Sequence, residues 1–461
     1  MPSNNHVIFI HPDGTSPSHY AAARFVEYGP DGRLNWDRLD QAAVYLGHME
    51  DQLGGTSNAG AVTHATGTKV YAESFGLNED NSPVTTLAGT TNRTIVQEAV
   101  AANKVTALVQ SGAIFEPGTA AFASQVGELE VNGQRIPPRS RTAEIARQVI
   151  LSGVDFILAG GEVTLLPVGT DGFHGTAAQY DAISSNPLQR PSENLIELAK
   201  SLGYTVVYTE AQLRDLVDPA KTPTPPTKVL GVFAPVHTFN DRPEEVLAQN
   251  NLPLYSPTAP EIGEMLDITQ QLMERHPNFI NGSITIVEEE GSDNFGNNNN
   301  ARGTIEGTAR ADRAIGVALD FIERNPNTLL ITAADSDAGG LQVVDRSNAT
   351  ANVGTINNNP TTEARNVPLD GRTGANTLPF LAQPDANGDV FPFAVGWTGT
   401  PDYSGSIVSK AHGLNANRLP STADNTVIYE LMYETLFGVE LQPRIQEAAR
   451  APRATQDTGN V

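Results

Sequence analysis

Short runs of apolar residues alternate along the chain with longer amphipathic stretches. Runs bounded by Gly, Pro or polar residues are typical of buried strands, and they occur at 7–10, 105–109, 154–158, 205–208, 228–233, 283–287 and 328–332. Helical periodicity predicts helices after residue 57 and at 94–102, 141–152, 193–202, 260–275 and 309–323, with a largely helical excursion at 16–50. Such alternation predicts an α/β fold: a doubly wound, mostly parallel central sheet flanked by helices on both faces.

One region breaks this alternation. Residues 341–390 contain polar clusters such as Asn-Asn-Asn-Pro and Asp-Gly-Arg with little periodicity, which predicts a loop-rich surface insertion without a core of its own. We therefore expect one α/β domain over residues 1–448 that includes this insertion, followed by a frayed tail at 449–461.

Acidic residues follow three of the predicted strands. Asp13 comes just after the first strand, Glu288 ends the strand that begins at residue 283, and Asp335 follows the strand that begins at residue 328. Open α/β sheets place their binding sites at the carboxyl ends of the strands. The sequence therefore predicts a site at this edge of the sheet.

A serine opens a predicted helix of small residues. Ser57 follows Gly54-Gly55, and the N-terminus of a helix presents unpaired N–H groups and the positive end of the helix dipole. This environment binds anions, phosphate above all, and favours ionisation of a hydroxyl group. An isolated serine there is most simply an N-cap, and the motifs below favour a nucleophile.

Composition excludes several classes of partner and site. The net charge of −24 argues against a nucleic-acid partner, and no apolar run is long enough to cross a bilayer, so we expect no membrane partner. The chain has no cysteine, which excludes disulfides and Cys-based zinc sites. The N-terminus lacks a secretion leader; we expect a periplasmic or secreted protein whose leader has been removed, with the cytoplasm as the alternative.

Several motifs, in one order along nearly the whole chain, resemble those of the alkaline phosphatase family. They are His-Pro-Asp-Gly-Thr at 11–15, the serine helix ending in Thr-Gly-Thr-Lys at 66–69, Phe-Glu-Pro-Gly-Thr-Ala-Ala-Phe at 115–122, Val-Asp-Phe-Ile-Leu-Ala-Gly-Gly at 154–161, Val-Glu to Asp at 287–293, Ala-Asp-Ser-Asp-Ala-Gly-Gly at 334–340 and Asp-Asn-Thr at 424–426. Each motif alone is weak, but their shared order is specific. The resemblance implies an alkaline-phosphatase-like fold and a metal-dependent phosphomonoester hydrolase.

The resemblance also implies roles for individual residues. Ser57 is the implied nucleophile, which forms a phosphoserine intermediate. Asp13 is the implied bridge between two metal sites, and Glu288 the implied magnesium ligand. Asp293 and Asp335 would each bind one catalytic metal.

The family's three zinc-binding histidines are replaced in this chain. Two of them correspond to Asn297 and Ser336, and the third to Asp402 or Tyr403. Carboxylate, amide and hydroxyl oxygens favour hard cations, so we expect magnesium and/or calcium, with zinc as the alternative. The candidate metal ligands are Asp13, Ser57, Glu116, Glu288, Asp293, Asn297, Asp335 and Asp402.

Two further family positions differ. The magnesium-binding threonine of the family falls on Gly118, next to Glu116, and the arginine that clamps phosphate falls on Leu129. Arg139 is the candidate catalytic arginine. Two alternatives lie in the same segment, Arg135 and Arg141.

The remaining histidines are expected to lie outside the metal site. On an extended strand His11 points the same way as Asp13, but we do not count it as a ligand, and we expect His64 to pack on its helix. Solvated polar roles are expected for His174, His237 and His412. Glu289 and Glu290 are expected to form a solvated acidic turn.

These inferences predict a phosphatase that cleaves small-molecule phosphate esters through phosphoserine at Ser57. Two alternatives stay open: a non-catalytic relative, because the histidines and the clamping arginine have changed, and a relative that cleaves phosphodiesters. A homodimer is compatible with the sequence.

Overall fold

The computed structural model describes residues 3–356 and 367–441. Its strands are β1 (His6–Pro12), β2 (Gln41–Leu46), β3 (Val105–Ala113), β4 (Leu129–Val131), β5 (Gln134–Ile136), β6 (Phe156–Gly160), β7 (Thr205–Val207), β8 (Val229–Val232), β9 (Ser283–Glu289), β10 (Thr328–Thr332), β11 (Asp337–Ala338), β12 (Gln342–Asp345), β13 (Thr355–Ile356), β14 (Val367–Pro368), β15 (Asp370–Gly371), β16 (Gly374–Ala375), β17 (Phe380–Leu381), β18 (Pro392–Gly396), β19 (Asp402–Tyr403), β20 (Val408–Gly413) and β21 (Thr422–Asp424).

The described residues also form thirteen α-helices. They are α1 (Pro17–Tyr28), α2 (Ser57–Thr66), α3 (Ile95–Ala101), α4 (Pro117–Ala120), α5 (Thr142–Leu151), α6 (Ala177–Ile183), α7 (Leu195–Ser201), α8 (Glu210–Asp215), α9 (Glu244–Asn250), α10 (Ile262–Glu274), α11 (Gly291–Asn297), α12 (Ala301–Arg324) and α13 (Thr426–Phe437). Short 3₁₀ helices lie at Trp36–Arg38, Pro138–Ser140, Glu162–Leu165, Phe279–Asn281 and Ala416–Arg418. None of the described helices is both long and apolar enough to cross a bilayer.

A central sheet organises the molecule. In the described residues it has ten strands, in the order β21-β2-β20-β10-β1-β9-β3-β6-β8-β7. Neighbouring strands pair in parallel except at β20, which runs antiparallel to β10 and β2. The predicted mostly parallel α/β sheet is confirmed.

The two faces of this sheet bury separate cores. On β1, Val7 and Phe9 pack on one face, with side chains of α2 and α13. Ile8 and Ile10 pack on the other face, with side chains of α10 and α12. Because successive strand residues point to opposite faces, the apolar run of β1 is buried on both sides, as the doubly wound prediction requires.

The register of the central strands brings the predicted site residues to one edge. β1 lies between β10 and β9, with Ile10 opposite Thr332 on one side and Val287 on the other. His11 is then opposite Glu288. All three strands run in the same direction, so the residues that follow them meet at the carboxyl edge of the sheet.

The predicted helical excursion at 16–50 is correct for α1 and wrong for β2. In this strand Ala43 and Tyr45 are buried, whereas Val44 and Leu46 are about half exposed. Only one face of β2 is covered, but residues 42–46 are all apolar, so no alternation of polar and apolar residues marks the strand in the sequence.

The segment expected to be a loop-rich insertion contains a small antiparallel sheet. Its strands follow the order β12-β18-β15-β16, with β17 also paired to β18. Val353 and Leu369 of this segment form a small apolar cluster with Ala394, which follows it in the chain. β15, β16 and β17 are two residues long, too short to show periodicity. The expected tail at 449–461 lies outside the described residues.

Candidate metal centre and active site

Two groups of potential metal ligands lie at the carboxyl edge of the sheet. The first contains His11, Asp13 and Asp335, and the second contains Asp13, Glu290 and Asp293. Within each group, one ligand atom per residue lies within 4.8 Å of the others. Asp13 belongs to both groups, which is the arrangement expected of a carboxylate that bridges two cation sites.

Most of these carboxylates are buried without partners. Both oxygens of Asp13 and of Asp335 lack a hydrogen bond within the described part of the chain, as does one oxygen each of Glu288, Glu290 and Asp293. A buried polar atom without a partner is costly. Carboxylate oxygens are ligands for divalent cations, so the residues at this edge fit bound metal.

The carboxylates of the cluster repel one another. Burial, followed by repulsion from neighbouring carboxylates, raises the pKa of Asp293, Asp335 and Glu290 well above the usual range. Burial also raises the pKa of Glu288 to about 8. Such a group of carboxylates can remain ionised at neutral pH only when cations compensate the charge.

His11 is part of this cluster, contrary to the expectation from the sequence. Its Nε2 lies 3.3 Å from Oδ1 of Asp13 and 3.9 Å from Oδ1 of Asp335. Burial alone would lower the pKa of His11, but the carboxylates of Asp13, Asp335 and Glu288 outweigh it and raise the pKa to about 10. The spacing of two residues from Asp13, which places both side chains on one face of the extended chain, was the available signal.

Glu290 also lies in the cluster, and the expected solvated turn is wrong. Glu289 and Glu290 are both 1% exposed. Glu288 and Glu290 lie on the side of Asp13, whereas Glu289 faces Arg310. Burial raises the pKa of Glu289 to about 7, and the charge of Arg310 opposes part of this rise. The alternation of a strand explains this division: residues two apart share a face, and this spacing could have identified Glu290.

The structure places Asp402, and not Tyr403, beside the second group. Asp402 contributes to the raised pKa of Asp293, after burial, and Asn297 donates to Oδ2 of Asp293 at 2.8 Å. β19 pairs with β11, and the side chain of Tyr403 points instead toward Gly399. Asp293, Asn297 and Asp402 thus form one group of oxygen donors.

Ser57 is the first residue of α2, and this helix packs closely on the cluster. Every residue of α2 is buried, and Thr56 caps the helix by accepting a hydrogen bond from the N–H of Ala59. A Cβ atom at Gly60 would lie 2.8 Å from Cβ of Asp335, so only glycine permits this approach. The first turn of α2 therefore lies against Asp335 at the carboxyl edge of the sheet.

Arg139 is the candidate arginine that reaches the site. Its Nη2 donates to Oε2 of Glu116 at 3.1 Å, while its side chain is 44% exposed. The two alternatives are engaged elsewhere, because Arg135 pairs with Glu128 and Arg141 donates to the carbonyl of Gly127. Arg139 therefore lies beside Glu116 at the cluster, with part of its side chain exposed.

Glu288 leaves no room for a side chain at position 118. A Cβ atom at Gly118 would overlap the carboxylate of Glu288. Gln110 donates to the other oxygen of that carboxylate. The threonine of the family at this position therefore cannot be accommodated, and the carboxylate of Glu288 fills its space.

The other predicted positions are placed as follows. Ser336 is fully buried next to Asp335, and its hydroxyl has no partner in the described residues. His64 packs within α2 and shares a 2.7 Å hydrogen bond with the hydroxyl of Tyr45. The histidines expected to be solvated lie outside both ligand groups and are half-buried: His174, His237 and His412.

Comparison with known proteins gives one family. A model of the alkaline phosphatase family matches residues 4–368. The chain is similar to an alkaline phosphatase of Escherichia fergusonii, with 25% identity over 72% of this chain and 70% of that protein. It is also similar to a streptomycin-6-phosphate phosphatase of Streptomyces griseus, with 25% identity over 71% of this chain and 72% of that protein.

Solved structures agree on the fold. The structure of a cold-active alkaline phosphatase from Shewanella sp. superposes with a TM-score of 0.65 at 20% identity, covering 94% of this chain and 99% of that one. The alkaline phosphatase of Thermus thermophilus gives a TM-score of 0.65 at 18% identity, covering 96% of this chain and 92% of that one. At these identities the likeness shows the fold, which is alkaline-phosphatase-like.

Because Glu290 faces the metal ligands and Glu289 faces away from them, we predict that only Glu290 contributes to magnesium binding. Glu290→Gln should weaken magnesium binding by about tenfold or more, because it replaces a charged carboxylate of the second group with a neutral amide. Glu289→Gln, one residue away on the opposite face, should leave the affinity nearly unchanged. Calorimetric titration of the metal-free proteins with magnesium measures both, and equal losses would contradict the assignment.

Proposed function

The chain belongs to the alkaline phosphatase family, which supports a phosphatase-type hydrolase, and we propose that it hydrolyses phosphomonoesters with Ser57 as the nucleophile. One observation carries the proposal: Ser57 begins a buried helix that packs on Asp335, beside two ligand groups that share Asp13. Phosphoryl transfer requires positioning and charge neutralisation, and this edge of the sheet supplies the residues for both.

The family and the donor set support divalent metal as the cofactor. One cation would be held by Asp13 and Asp335, with Ser57 nearby. The other would be held by Asp13 and Asp293, with further oxygens available from Glu116, Glu288, Glu290, Asn297 and Asp402. Bound cations would supply Lewis-acid charge that favours ionisation of the serine hydroxyl and neutralises the phosphate.

The remaining chemistry is assigned to residues of the chain. Oγ of Ser57 attacks phosphorus and forms a P–O bond, while the bond between phosphorus and the ester oxygen breaks and the alcohol leaves. The N–H groups at the start of α2 and the guanidinium of Arg139 bind the phosphoryl oxygens. Water then attacks the phosphoserine, which releases inorganic phosphate and restores Ser57.

Arg139 is proposed to clamp the phosphate group from the rim. Its pairing with Glu116 holds the guanidinium toward Asp13 and Asp402. Burial raises the pKa values of these two carboxyl groups, and the positive charge of Arg139 lowers them. Because 44% of its side chain is exposed, Arg139 can contact an incoming ester without leaving Glu116. A planar guanidinium is well matched to two phosphate oxygens.

We propose small-molecule phosphate esters as substrates and the periplasm or the extracellular space as the location. The net charge of −24 disfavours nucleic acids, so a compact ester is the better candidate. We also propose that magnesium or calcium supports turnover at least as well as zinc, because Asn297, Ser336 and Asp402 provide only oxygen donors.

Replacement of the nucleophile tests the proposed function directly. Ser57→Ala should lower turnover of a chromogenic phosphomonoester by roughly a thousandfold or more, while its thermal unfolding and metal content stay near those of the unaltered protein. Ser201→Ala, at an exposed site in α7, is the control and should retain full activity. Unchanged turnover in folded Ser57→Ala protein would exclude this serine as the nucleophile.

The metal preference should follow the donor atoms around Asp293. We expect Asn297→His combined with Asp402→His to strengthen zinc binding relative to magnesium by about tenfold or more, since imidazole nitrogen favours zinc. Competition between the two metals, followed by elemental analysis of the protein, measures this ratio. If the unaltered protein already selects zinc at both sites over excess magnesium, the preference for hard cations is wrong.

A further inference from the structure

We propose that Nε2 of His11 is a direct metal ligand, completing a mixed nitrogen–oxygen site with Asp13 and Asp335. The inference rests on the divalent-metal site of the proposed function and adds a ligand to which the family resemblance assigned no role. It assigns different donor chemistry to the two ligand groups that share Asp13.

The first observation is the fixed orientation of the His11 ring. Its Nδ1 lies 2.7 Å from the carbonyl oxygen of Ala333. A carbonyl oxygen only accepts, so Nδ1 carries the hydrogen and donates it. The ring nitrogen opposite, Nε2, is then the one left to bind a cation. Metal-binding histidines are commonly oriented in this way by a backbone carbonyl.

The second observation is what Nε2 faces. It is buried, has no hydrogen-bond partner within the described chain, and lies 3.3 Å from Oδ1 of Asp13 and 3.9 Å from Oδ1 of Asp335. Two ligand atoms on a tetrahedral ion, each bonded at about 2.0–2.1 Å, are separated by about 3.3–3.4 Å. The separation between His11 and Asp13 matches a shared ion.

The neighbouring His64 is a buried histidine with a structural role and serves as a comparison. His64 is fully buried, and its ring centroid lies 5.9 Å from that of His11. Its Nε2 is satisfied by the hydroxyl of Tyr45, and its Nδ1 has no hydrogen-bond partner in the described chain. Of these two adjacent buried rings, only His11 has a nitrogen within 4.0 Å of carboxylate oxygens in the described residues.

The consequence is a difference between the two sites. The group with Asp13, Glu290 and Asp293 contains only oxygen ligands and favours magnesium or calcium. The group with His11 contains a nitrogen ligand and favours zinc or another transition metal that imidazole suits. The chain would thus retain one borderline-metal site by supplying a histidine from β1.

Electron spin-echo spectroscopy on the full chain tests the ligand itself. We expect the metal-free protein, titrated with manganese until its sites are filled, to show nitrogen coupling characteristic of a coordinated imidazole. The coupling should be lost in His11→Gln and kept in the matched control His64→Gln. Absence of imidazole coupling in the unaltered protein, or its survival in His11→Gln, would overturn the proposal.

Zinc affinity gives a second readout that does not depend on turnover. His11→Gln should weaken zinc binding by about tenfold or more and change magnesium binding much less; equal losses for both metals would overturn the proposal. If His11→Gln fails to fold, two results still test the proposal. Absence of imidazole coupling in the unaltered protein, or its loss in His64→Gln, would overturn it. Imidazole coupling in a protein without phosphatase activity would refute the proposed function and leave the ligand assignment standing.

Discussion

The structure depends on the burial of negative charge at one edge of its central sheet. Asp13, Glu288, Glu290, Asp293 and Asp335 are each at most 4% exposed and lie close enough for most of them to raise one another's pKa values. Such a cluster is unstable by itself, because each carboxylate is removed from water and repelled by the next. Cations that bind there would compensate this cost, and phosphate chemistry requires the same concentration of positive charge.

The fold provides the support for this cluster. Parallel strands β1, β9 and β10 end together, so their following residues converge without long loops. Small residues let α2 approach, and Gly60 allows the serine helix to pack against Asp335. The helix dipole and Arg139 then place positive charge near the carboxylates. The same helix that stabilises the negative edge also presents Ser57.

The fold and part of the site could be predicted from the sequence because their signals are local. Fully buried strands such as β1 appear as apolar runs, and acids at strand ends mark the edge. The contributions of His11 and Glu290 depend on which face of a strand each side chain occupies, a spacing of two residues whose meaning becomes clear only with the register. The choice between Asp402 and Tyr403 depends on the pairing of β19 with β11, a tertiary contact that no local pattern encodes. The short strands β15 to β17 are likewise specified by their partner β18.

Anomalous diffraction from crystals soaked in manganese would test the central claim most directly, since it locates the cations that the buried carboxylates require. The account predicts two peaks at the carboxyl edge, both within bonding distance of Asp13, one also near Asp335 and the other near Asp293. Data of adequate quality with no peak at this edge, or with a single peak that does not contact Asp13, would contradict it.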